Sequence, residues 1–218
     1  MKLKIKTLFA ATFMSASLGF ATQVFAQSPQ AHAHPGLGTS KITQTGAALR
    51  DLWTSHAFWV RAVVAETLSG NSAAAAAAEN AAVDNAKQLA ASMEPFYGKP
   101  ASAEVFSLLA GHYTAVKQYL LATRARSTAE QEAARQAMVK NAEQIAVFLS
   151  GANPHLPIDA LRGMLLAHGG HHVLQIRQMA DKQYAQEAQT WEAMKNHMYG
   201  VADALTVAIA KQFPAKFE

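Results

Sequence analysis

His56, His112 and His168 stand 56 residues apart, and each follows an apolar residue by four positions: Leu52, Leu108 and Met164. A second triplet, Asn85, Asn141 and His197, repeats the interval. The neighbours align without gaps, Asn85-Ala-Lys-Gln-Leu-Ala90 with Asn141-Ala-Glu-Gln-Ile-Ala146 and with His197-Met-Tyr-Gly-Val-Ala202. A fixed internal period constrains a fold strongly, because each copy must be one unit that buries its apolar face on its neighbours. The period predicts three copies of a helical hairpin, at 43–98, 99–154 and 155–210.

Helices follow from the apolar spacing within each copy. Leu49, Leu52, His56, Trp59 and Val63 share a face, as do Val105, Leu108, His112, Ala115 and Tyr119. Leu161, Met164, His168, His172 and Met179 repeat the pattern in the third copy. Intervals of three and four place such residues on one side of a helix. Breaks are expected at Gly70-Asn71-Ser72, at Pro95 to Pro100, at Ser127-Thr-Ala-Glu130 (a capping box), at Gly151-Ala-Asn-Pro154, weakly at 181–184, and at Pro214. Pro157 opens a helix where its missing N–H costs little. No alternating strand pattern is visible. The expectation is an all-α fold, a six-helix bundle over 43–214. Three copies are near the minimum for an open solenoid and none looks like a polar cap, which favours closure into one bundle.

The first 26 residues read as a secretory signal peptide: Lys2, Lys4 and Lys6, an apolar stretch from Leu8 to Phe20, then Val24-Phe25-Ala26. Residues 27–42, with Pro29, Pro35, Gly36 and Gly38, read as a flexible tail. The formal net charge of +4 includes those three leader lysines, so a mature chain is close to neutral. That argues against nucleic-acid binding. No later stretch is long and apolar enough to span a bilayer. The chain has no cysteine, which excludes disulfides, thiolate ligands and thiol nucleophiles. A periplasmic or secreted location is expected.

If the copies close around a common axis, equivalent positions converge. Three imidazoles would then meet, a ligand set suited to zinc, with copper, nickel and iron as alternatives. His168-Gly-Gly-His171-His172 adds a second possibility, since His168 and His172 share a helix face at i and i+4 and can chelate one ion. His56, His112, His168 and His172 are therefore the candidate metal ligands. Trp53, Trp59, Asn85, Asn141 and His197 are candidates for lining a ligand pocket or orienting the rings. Gly169 and Gly170 in mid-helix point to a close helix contact, a ligand near the backbone, or fraying. Arg61 either pairs with an acid or is exposed. Three ordinary explanations stay beside these. Duplication carries a histidine along without any metal, buried histidines form polar networks, and aromatic residues usually pack a core. Serine-hydrolase, zinc-protease, phosphate-loop and paired Glu-x-x-His motifs are all missing.

Over about 50–214 the chain resembles an uncharacterised family of secreted bacterial helical proteins. The resemblance is carried by Leu52-Trp53-x-x-His56-x-x-Trp59-x-Arg61, Pro95-Phe-Tyr-Gly98, Leu108-Leu109-x-x-His112 and Asn141-Ala-x-x-Ile145-Ala-x-Phe148-Leu149-Ser150-x-Ala152-Asn153-Pro154. His168, Ala202-Asp203-x-Leu205 and Gln212-Phe-Pro214 complete it. The family pattern implies the fold and retains His56, His112 and His168, but not His171 or His172. It implies no activity, and the transferase or kinase labels of some relatives find no support in these residues. A triad of His56, His168 and His172 would resemble the metal site of DinB-like helical bundles.

Three functions follow as expectations. One is an exported bundle whose histidine site binds a zinc or copper ion or a small ligand. Another is a structural or partner-binding bundle with a histidine network. The third is a metal-dependent hydrolase or transferase with Asp84 or Glu192 as base.

Overall fold

A computed structural model describes residues 40–218, and the expected signal peptide and most of the expected tail lie outside them. Among the described residues all regular structure is helical: α1 (Lys41–Ser69), α2 (Ser72–Ala125), α3 (Thr128–Ala152), α4 (Ile158–Ala180), α5 (Tyr184–Gln212) and a 3-10 turn at Pro214–Lys216. Each helix packs on the next, and α5 packs back on α1, so the elements form a closed bundle.

The boundaries have local causes. Gly70 ends α1 with φ 81°, and Asn71 then caps α2 by accepting from the Ala74 amide. A left-handed residue after a helix suits glycine, which lacks a Cβ. The alanine run that follows is the strongest helix former available. Ser127 accepts from the Glu130 amide at 3.4 Å, one half of the expected box. The weak break is a real one: Lys182 takes φ 58° and the Gln183 amide reaches the Gln178 carbonyl at 2.7 Å.

The bounds give five helices where six were expected, but the longest, α2, is two helical segments joined at a kink at Gly98, inside the expected break from Pro95 to Pro100. Helical geometry runs on both sides of Gly98, which alone departs from it at φ 81°, ψ 170°. Contacts across that break join the two segments. The Ser102 hydroxyl donates to the Ala90 carbonyl at 2.8 Å, and Lys117 meets Glu79 at 2.5 Å, so the two halves of α2 lie side by side. Tyr97 donates to Gln212 at 2.9 Å and accepts from Asn153 at 2.9 Å, which ties the break to the ends of α3 and α5. Phe96 stacks on Phe217 and lies against Phe213 beside it.

The core has two principal apolar clusters. One holds Leu49, Leu156, Leu161, Met194, Met198 and Ile209, and the other Val60, Val63, Val116, Tyr119, Ile176 and Met179. Along α1 and α4 the histidines fall between them: Leu49, His56, Val60 and Leu161, His168, His172, Ile176. A polar layer thus sits inside a packed interior, where each buried aliphatic side chain contributes about 1.5–3 kcal/mol.

Candidate metal centre

Three helices deliver four imidazoles to one place. His56 comes from α1, His112 from α2, and His168 and His172 from successive turns of α4. All four are buried, none more than 6 % exposed. Their ligand nitrogens lie within 4.8 Å of one another. The rings of His112 and His168 stack at 5.1 Å between centroids, and His56 lies 5.6 Å from His168. His168 Nε2 and His172 Nε2 are 3.1 Å apart, so one ring donates to the other.

Three further nitrogens of the cluster are not so provided for. His56 Nε2, His112 Nε2 and His168 Nδ1 are buried without a hydrogen-bond partner. Such an atom costs about 1–3 kcal/mol. Burial lowers all four basicities. His56 falls to about 3, helped by the neighbouring His112 ring, and His112 falls to about 4, opposed in part by the Asn141 side chain. His168 and His172 are lowered well below the ordinary value by burial and then by the other rings. The rings are therefore neutral near pH 7, the form that binds metals. Tetrahedral bonds of about 2.0–2.1 Å put ligand nitrogens roughly 3.3 Å apart, so modest ring rotations bring this set onto one ion.

The companion residues are held in a repeated way. The Asn85 amide donates to the Leu52 carbonyl at 3.0 Å, and Asn141 donates to Leu108 at 3.0 Å. His197 Nε2 donates to the Met164 carbonyl at 2.9 Å. Each acceptor lies one helical turn before a cluster histidine. The amide oxygens of Asn85 and Asn141 remain buried and unpartnered. Gly111 makes room for this: a Cβ there would stand 3.0 Å from the Asn141 amide nitrogen. His197 also stacks on His168 at 6.3 Å, and half-buried His171 lies 5.5 Å from His197.

Trp53 stands edge-on to His56 at 5.9 Å, and its indole nitrogen is buried without a partner. With His56, His112 and His168 it lines an apolar cavity of about 40 Å³. Trp59 packs instead on Phe58 and the Val60 cluster, away from that cavity, so it belongs to the core. Asp84 and Glu192 are solvent-facing carboxylates paired with Lys87 and Lys195 at 2.8 and 2.6 Å. Neither belongs to the histidine cluster, which removes the expected base. Gly169 and Gly170 sit within a continuous α4, and a Cβ on either would meet nothing within 4 Å. No close helix approach explains them.

No protein-family model, curated protein or solved structure matches this chain.

Of the two alternatives for Arg61 the structure shows pairing with an acid, in a second polar cluster whose Glu187 and Gln175 were not expected. Glu187, at the start of α5, is only 2 % exposed and accepts from Arg61 Nε and Nη2, at 2.7 and 2.6 Å, and from the Gln175 amide at 3.0 Å. Arg61 also lies over the Trp191 ring. The signal was present: Glu187 is in register with Thr190, Met194, Met198 and Val201, the buried stripe of α5.

Proposed function

We propose that this chain binds one transition-metal ion through His56, His112, His168 and His172, with zinc and copper the metals best suited to an all-imidazole set. The observation that carries the reading is the convergence of four buried imidazoles, one ring nitrogen of each within 4.8 Å of the others, in a cluster where three ring nitrogens have no partner. A structural network needs its buried members satisfied. An ion at the centre would satisfy these. Asn141 and His197, placed beside His112 and His168, are the groups that orient the rings.

The architecture we propose for this site is three hairpins of one 56-residue period, with the halves of α2 as separate arms. Its support is the thirty-three-residue interval shared by the pairs Leu52–Asn85, Leu108–Asn141 and Met164–His197. We also propose membership of the helical family named above, and export to the periplasm or beyond, on the strength of the motifs and the leader pattern.

The test is calorimetric titration of chelator-treated protein with Zn²⁺ and Cu²⁺. One equivalent is expected to bind, and His112→Ala should abolish or strongly weaken it. A melting temperature that does not respond to metal or chelator, with no ion retained, would favour the structural network instead.

A further inference from the structure

We propose that the ion held by the four histidines takes a small monovalent anion, two or three atoms long, as an additional ligand seated in the apolar cavity beside them. This rests on the metal reading above and adds the class of exogenous ligand.

Size comes first. The cavity, lined by Trp53, Leu109, Leu161 and Met164 together with three of the histidines, measures about 40 Å³. One water needs roughly 10–15 Å³ of such space. There is room for a diatomic or triatomic species.

Charge points the same way. Four neutral imidazoles leave a divalent ion with both its charges, and no carboxylate lines the cavity. The buried acid of the bundle, Glu187, is already taken by Arg61 and Gln175. An uncompensated charge in apolar surroundings is strongly unfavourable, and an anion on the ion relieves it.

Trp53, one of the lining residues, also has an unused donor. The Trp53 indole N–H is buried and has no acceptor, and an anion beside His56 would supply one.

Azide added to copper(II)-loaded protein tests this, with the copper content of every sample measured first. Azide should bind saturably, one per copper, and raise a new charge-transfer band. Trp53→Phe keeps the ring and removes the donor, and should weaken azide binding about fivefold to tenfold. Leu161→Trp fills the cavity and should remove the azide response. Copper bound at one per chain with a spectrum that azide does not change overturns this inference alone, as does equal azide affinity in all three proteins. Copper absent from every sample overturns the metal reading, and this inference with it.

Discussion

The bundle buries polar side chains at two neighbouring places along α4, and they are built differently. At Gln175 the buried Glu187 carboxylate has a guanidinium and an amide on it, with an opposite charge to match its own. One turn earlier, His168 and His172 meet His56 and His112 with no acid among them and with ring nitrogens left over. The first cluster is complete without a visitor and holds α1, α4 and α5 together. The second leaves His56 Nε2, His112 Nε2 and His168 Nδ1 without partners. Burial and polarity alone do not separate a strut from a site. The unmet ring nitrogens mark the second cluster as the one to test.

Acid should act most strongly, and on the second cluster. An unfolded histidine titrates near 6.5, whereas His56 and His112 in the folded chain are lowered to about 3 and about 4. Between those values the unfolded chain binds protons that the folded one refuses. Stability is therefore full above about pH 7 and falls as the pH drops below 6.5. For metal-free protein the two rings together should cost roughly 4 kcal/mol between about pH 7 and about pH 5, with His168 and His172 adding in the same direction. Urea unfolding across that range measures it, and a His56→Leu, His112→Leu double variant should lose much of the slope.

Breaking the first cluster comes next. Arg61→Met strands the buried Glu187 charge. The loss should be about 2–3 kcal/mol, less than the 3–5 typical of a wholly enclosed pair because the Arg61 side chain is 34 % exposed. Denaturant midpoints report it, and metal uptake should be retained. Gly111→Ala should cost about 1 kcal/mol, by pushing Asn141 off the Leu108 carbonyl, and should weaken metal affinity several-fold. The smallest stability effect belongs to His112→Leu in metal-free protein. Replacing an unsatisfied ring with an apolar side chain should change stability by less than about 1 kcal/mol in either direction, while uptake is lost. A large destabilisation there would make the histidines struts after all.

Much of this was legible in the chain. The 56-residue interval placed His56, His112 and His168 on equivalent turns, and the i, i+4 spacing added His172. The interval also paired Asn85, Asn141 and His197 as equivalents, without saying which carbonyls they would reach. What stayed hidden depended on contacts distant in sequence. Pro95 and Pro100 mark a break, and the chain does kink at Gly98 between them, but the contacts that tie the kink down, Ser102 on Ala90 and Tyr97 on Gln212 and Asn153, were not visible. Glu187 looks like a helix-start acid, and only the α5 stripe shows that it turns inward. Trp59 shares a face with His56 by spacing, but it lies past the cavity among the valines.

X-ray absorption on zinc-loaded protein measures the central claim most directly, because it counts what surrounds the ion. The four-histidine centre predicts a first shell dominated by imidazole nitrogens at about 2.0–2.1 Å, with the outer-ring scattering of three to four imidazoles. A shell of oxygens, or zinc that washes out before measurement, would contradict it.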